Sequence, residues 1–385
     1  MSTLPRSLFL PDGTPVPRIY GAEGGYHTAG DLVRETIDGR DVNVIWDEFQ
    51  TTLQIVNEQR TAMTNLLCFT TDRSADIVAQ ATEDSGFEVS SEFGVARGMR
   101  PEPLRVKLGY AFEDFDLATR YTWKFLRDAS AEQVELTHRS ALAADNRLTT
   151  HTILQRVLDP TPRANEDLVP VHGLWNGDDM VPPRSGFNFH EANHTHYLTT
   201  QSAAPTGVDL DDMANHIRHH GYGTTPGSRL ILFVHTSELS QLTTFRSGEE
   251  GAHDFIPAAN APAFLSSEEI VGDRPPGDYN GLKIAGSYGD VWISPSEFMP
   301  PGYLLMVATE GPNSPLNPVG YREHPSLAFK GLRLVAGVQQ GYPLQDAYYA
   351  RGFGVGVRHR GAAVAMQITE SPTYAAPTEL TGAQL

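Results

Sequence analysis

The clearest pattern of apolar and polar positions covers residues 128–158, where the spacing predicts one long, unbroken amphipathic helix. Val134, Leu142, Leu148, Ile153, Leu154, Val157 and Leu158 form a thin apolar stripe that thickens toward the end. Ser130 and Gln133 have capping-box spacing, which satisfies two of the N–H groups left open at a helix start. Asp159-Pro160 stops the helix, since proline lacks an N–H and restricts the residue before it. At ~1.5 Å per residue such a helix is roughly 45 Å long. These are the proportions of a strut lying across a flat object.

Helical spacing also runs through residues 44–69, with Ile45, Phe49, Leu53, Val56, Met63 and Leu67 three, four and seven apart. The signal then changes. Residues 70–107 hold few core-sized side chains, and Phe87, Val89, Phe93 and Val95 alternate with polar residues at strand spacing. This predicts a long two-stranded hairpin. A hairpin alone is marginal in water, so it needs cover from the core or from another subunit. In residues 108–127, Phe112, Phe115, Tyr121, Trp123 and Phe125 are expected to pack under the long helix.

After Pro160, proline and glycine favour turns and short hairpins. Residues 207–225 predict a helix with Leu210, Met213 and Ile217 on its apolar face and Gly221 as its stop. The continuous apolar run 230–234 predicts a strand buried on both faces. Residues 246–280 read as a polar excursion, followed by strands at 283–285, 291–293 and 303–307, a helix-on-sheet unit. Alternation at 332–334, 353–357 and 364–368 predicts strands that return to the first unit. Residues 1–40, with Pro5, Pro11, Pro15 and Pro17, show no sustained period. They are either a loose tail or an extended arm anchored by Leu8, Phe9, Leu10, Ile19 and Tyr20. The fold class is α+β.

Composition narrows the function. With 385 residues and 40% hydrophobic content the chain can build two or three domains with a real core. A formal net charge of −18 opposes sequence-specific nucleic-acid binding, which needs clustered Lys and Arg. It leaves open a protein that encloses DNA without gripping it. Cys68 is the only cysteine, so no internal disulfide forms. The N-terminal residues hold no long apolar run, so neither a signal peptide nor a membrane anchor is expected.

Candidate chemistry is sparse. His190, Glu191, His194 and His196 form one group, and His216, His219 and His220 another. Neither has the spacing that sets two imidazoles and a general base on one helical face, although His216 and His220 are four apart. Hydrogen bonding at a surface or interface is the expectation for both groups, with no metal and no cofactor. Gly221, Gly223 and Gly227 precede a strand instead of following one, which excludes a dinucleotide loop. Gly352, Gly354 and Gly356 alternate within a strand pattern, which suits close backbone approach. Nothing supports a catalytic assignment.

The order of elements resembles the major capsid proteins of tailed double-stranded DNA bacteriophages, the Hong Kong 97-type fold. The resemblance implies an N-terminal arm at 1–40, a helix at 41–69 and an extended loop (E-loop) at 70–107. It implies a peripheral domain at 108–204 containing the spine helix 128–158, an axial domain at 205–319, a return to the peripheral domain at 320–370, and a tail at 371–385. Phe87, Val89, Phe93 and Val95 on the loop, and Leu8, Phe9, Leu10, Ile19 and Tyr20 on the arm, then become candidate inter-subunit contacts. The implied function is self-assembly through pentamers and hexamers into an icosahedral shell around double-stranded DNA. The implied partners are a separate scaffolding protein, the arm being short for a fused one, a portal protein and a decoration or minor capsid protein. No membrane is involved, and the expected location is the virion capsid after assembly in the host cytoplasm. Some members join subunits covalently through a loop lysine and a distant asparagine. Here 70–106 has no lysine and no asparagine follows Asn317, so no crosslink is expected. The alternatives are an encapsulin-type nanocompartment shell and, from another class, a His-liganded metallohydrolase; a shell subunit is expected to hold no stoichiometric zinc.

Overall fold

In the computed structural model the long helix forms from Ala131 to Leu158. Its start is closed reciprocally: the Ser130 N–H donates to Gln133 Oε1 at 2.9 Å, and the Gln133 N–H donates to Ser130 Oγ at 3.4 Å. Its last carbonyls are capped by side chains. Tyr374 donates to the Leu158 carbonyl at 2.8 Å, Tyr197 to that of Val157 at 3.1 Å, and Arg156 to that of Thr161 at 2.7 Å just beyond. The structure describes residues 35–58, 61–79, 87, 89–90, 92–95, 105–178, 194–248, 251–261, 274–341 and 344–381.

The chain divides into two compact units. The first comprises Met1–Gln59, Phe115–Asp145 and Gly331–Arg351. Its helix Val42–Glu58 buries Ile45, Phe49 and Leu53 at the spacing the sequence predicts. Ile45 and Phe49 pack with Leu126, Ala129, Ala131 and Val134, while Leu53 packs with Ala141, Leu332 and Tyr349. The Phe49 ring stacks on His138 at 4.1 Å, and His138 Nδ1 lies 2.7 Å from the Tyr349 hydroxyl. Burial holds the His138 imidazole below its ordinary pKa. Asn57 pins residue 332 twice, donating to the Leu332 carbonyl and accepting its N–H, each at 2.8 Å.

Two expectations need correction here. The helical period over 44–69 is split between Val42–Glu58 and a second helix, Ala62–Leu67, whose Thr61 hydroxyl accepts from the Thr64 N–H; Cys68 already begins a strand. Among the aromatics, Trp123 is buried but Phe125 is 38% exposed, with Leu126 inside instead. The short helix Trp123–Asp128 explains it, because residues 123 and 126 share a helical face that 125 does not.

The second unit comprises Arg60–Asp114, Asn146–Lys330 and Gly352–Leu385. Its centre is a seven-stranded sheet in the order Tyr197–Thr199, Ala363–Gln367, Tyr303–Thr309, Arg229–Val234, Val291–Pro295, Gly286–Tyr288, Phe255–Pro257. The apolar run predicted to be buried on both faces lies mid-sheet, with Leu230 to Val234 all buried. Helix Gly207–Arg218 starts on a Thr206–Asp209 capping box, and Gly221 beyond it takes φ +78°. Leu210, Met213 and Ile217 of the helix join Leu232, Leu304, Met306 and Val364 in one core. Ala363–Gln367 pairs with Tyr303–Thr309 in this sheet, where the sequence had suggested a return to the first unit.

A second pairing in this unit sets Cys68–Thr71 parallel to Val319–Glu323, which pairs antiparallel with residues 353–357. Cys68 is 1% exposed. The glycines that the sequence marked for close approach perform that role: a Cβ on Gly354 would lie 2.0 Å from the Ala111 carbonyl oxygen, and one on Gly356 2.3 Å from that of Gly109. Both obstacles are backbone, so relief requires a strand to move. Gly354→Ala is therefore expected to cost about 3 kcal/mol, read as a lower urea midpoint in the purified subunit; an unchanged midpoint refutes the packing argument.

Candidate assembly surface and a histidine cluster

The stretch predicted as a hairpin holds a two-stranded antiparallel ribbon that runs slightly past residue 107, Ala75–Ala79 against Arg105–Gly109, with Ile77 opposite Lys107. Its base is fastened within the second unit. Asp76 accepts from the Tyr110 hydroxyl and from Arg358 Nε, both at 2.8 Å, and Asn165 Nδ2 donates to the Ser74 carbonyl at 2.9 Å. Burial raises the Tyr110 phenol well above its ordinary pKa, so it remains a donor. Val106 and Leu108 face inward, whereas Ile77 is 60% exposed.

Beyond the fastened base the candidate contact residues have no cover. Phe87, Val89, Phe93 and Val95 are 109%, 97%, 92% and 97% exposed, and none lies in a strand. Burying a side chain of this kind is worth about 1.5–3 kcal/mol, so four of them together are a strong reason to associate. Leu327 (84% exposed) and Phe329 flank a short turn elsewhere and add to the uncovered apolar surface. Sequence reading missed that pair, which has no periodic neighbours to flag it. Leu8, Phe9, Leu10, Ile19 and Tyr20 lie outside the described residues.

The asparagine relevant to crosslinking is not on the surface. Asn317 is 0% exposed; its Nδ2 donates to the carbonyls of Cys68 and Gly311, each at 3.0 Å, and of Asn65 at 3.3 Å. Its Oδ1 accepts from the Thr309 hydroxyl at 3.0 Å and from the Glu310 N–H at 3.4 Å. Every polar atom of the side chain is occupied.

The two histidine groups do not act separately, as sequence reading had them. The fold brings His194 and His196, just before strand Tyr197–Thr199, to the end of helix Gly207–Arg218, where His219 and His220 follow. Parallel pairing of residues 197–199 with 365–367 and packing of the helix over the same sheet produce the meeting. His190 and Glu191 lie outside the described residues. His196 is fully buried, and its Nδ1–H donates to the Ala363 carbonyl at 2.7 Å. Burial pushes the imidazole pKa of His196 down to about 3 and that of His220 to about 2. His219 is exposed, and its Nδ1–H donates to the Asn215 carbonyl at 3.0 Å. Trp175 meets the His194 ring edge-on at 4.3 Å, and Gly361 lies where a Cβ would come within 2.9 Å of the His220 ring.

No family model matches the sequence, and no curated protein matches it. Among solved structures, one from Mycobacterium phage Patience is 35% identical, covers 92% of this chain and 96% of that chain, and superposes with a TM-score of 0.68. The mature capsid of bacteriophage PhiM1 is 9% identical, covering 82% of this chain and 89% of that chain, at a TM-score of 0.49. An encapsulin complex from Synechococcus elongatus is 12% identical, covering 85% and 97%, at 0.42. The last two are too distant to decide anything. The first is a relative along nearly the whole of both chains.

Proposed function

We propose a function from one premise: the chain belongs to the major capsid proteins of tailed bacteriophages, with the Hong Kong 97-type fold. It is a structural subunit of a phage shell. The finer reading is that copies associate as pentamers and hexamers and close into an icosahedral capsid around double-stranded DNA. One observation carries it: the stretch that contains a ribbon with a hydrogen-bonded base also carries four apolar side chains that are fully exposed. Those four side chains bury nothing within their own subunit and gain burial on a neighbour. In this reading residues 70–107 are the extended loop, 131–158 the spine, and 205–319 the axial domain. The arm at 1–40 supplies further contacts.

The net charge of −18 suits a shell that encloses DNA without adhering to it, because like charges repel at close range. A scaffolding protein and a portal are the partners such a shell implies, with assembly in the host cytoplasm and no catalytic step. The phage relative at 35% identity favours this over a nanocompartment. Electron microscopy of the expressed chain, with mass photometry, tests it. Five- and six-membered rings or closed shells are expected, and particles from infected cells should contain nucleic acid. A persistent monomer at high concentration together with scaffold, or a shell filled with protein cargo, overturns it.

Boiled shells should run on a denaturing gel as a single band near 42.2 kDa. Residues 70–106 hold no lysine, and Asn317 is spent on internal hydrogen bonds. A covalent ladder would refute the expectation that no crosslink forms.

A further inference from the structure

We propose that His194, His196, His219 and His220 form a binding site for a zinc-class divalent cation, a staple that joins the start of strand Tyr197–Thr199 to the end of helix Gly207–Arg218. The inference does not depend on the shell reading, and it replaces the expectation from the sequence that these histidines hold no metal and that a shell subunit carries no stoichiometric zinc. One ligand atom from each of the four lies within 4.8 Å of all the others. His194 Nε2 is 2.8 Å from His219 Nε2 and 3.0 Å from His220 Nε2. The edges of a tetrahedron with ligands at ~2.0–2.1 Å from zinc are roughly 3.3 Å, so these two separations need to open by only a few tenths of an ångström. The remaining adjustment falls to His194, half-buried, and His219, exposed, the two least enclosed of the four.

The protonation pattern points the same way. A carbonyl only accepts, so the contacts to Ala363 and Asn215 place the protons of His196 and His219 on Nδ1. In the neutral rings this leaves Nε2 as a lone pair. A backbone carbonyl behind the imidazole is the usual way a metal-binding histidine is oriented. His196 Nε2 is buried and makes no hydrogen bond among the described residues. Four imidazoles without carboxylate or thiolate select zinc and its borderline neighbours over magnesium or calcium.

The test uses the full chain purified without an immobilised-metal column, dialysed against chelator, then titrated with zinc against a chromophoric competitor. One zinc per chain is expected. Cobalt in its place should give the intense visible bands of tetrahedral coordination. His219→Gln, on the surface, and the pair His194→Gln with His219→Gln should each weaken zinc binding at least about tenfold while leaving the circular dichroism spectrum unchanged. Zinc well below one equivalent in the parent chain, or equal affinity in the folded variants, overturns the site.

Discussion

Replacing Phe87, Val89, Phe93 and Val95 together with serine is expected to leave a folded subunit that no longer assembles. All four are between 92% and 109% exposed, so the isolated chain loses no buried contact. Substitutions at such positions usually change stability by no more than about 0.5 kcal/mol. In the shell the same side chains are proposed to be covered by a neighbour. At about 1.5–3 kcal/mol for each large apolar side chain, their removal costs roughly 8 kcal/mol per subunit, and about 1.4 kcal/mol is tenfold in an association constant. Circular dichroism should therefore match the parent, while electron microscopy and sedimentation show only monomer or open rings. Closed shells from the variant would sink the loop-docking reading.

Asn317→Ala should do the reverse and damage the subunit before assembly is reached. The side chain ties helix Ala62–Leu67 and strand Cys68–Thr71 to the turn at 309–317: its two N–H groups are shared among three carbonyls, and its oxygen accepts two hydrogen bonds. Alanine leaves the Thr309 hydroxyl, the Glu310 N–H and the carbonyl groups partly orphaned. A buried polar group left without a partner costs about 1–3 kcal/mol. Shared partners lower the total, since Asn65 also accepts from the Asn313 N–H at 2.7 Å. A loss of about 4 kcal/mol is a large share of the 5–15 kcal/mol typical of a native protein. Denaturant unfolding measures it directly. Asn317→Asp should fail too, since a carboxylate has nothing to donate to three carbonyls. A parent-like unfolding midpoint in either variant refutes the network.

Much of the fold was legible because it rests on local chemistry. The Ser130–Gln133 box, the stop at Asp159-Pro160 and the fully apolar run 230–234 all appear where short-range rules put them. The alternating glycines 354 and 356 were readable for the same reason, a missing side chain inside a strand. The break within 44–69 was hidden because Leu53 and Val56 before it keep helical spacing with Met63 and Leu67 after it. The candidate sites divide along the same line. Exposed apolar residues within a polar stretch are a local signal, which is how Phe87, Val89, Phe93 and Val95 became candidates. The histidine cluster depends on a parallel strand pairing and on a helix lying across the sheet. Neither leaves a trace in the spacing of residues 194–220.

The lone cysteine has a practical consequence. Cys68 sits at 1% exposure in a strand paired with Val319. A thiol reagent added to native shells should find nothing to modify, and the same reagent on a denatured chain should find one group. Pulse alkylation followed by mass spectrometry would then count opened subunits within an intact particle, without any introduced label. It offers a clock for how often a phage head lets go of a single strand.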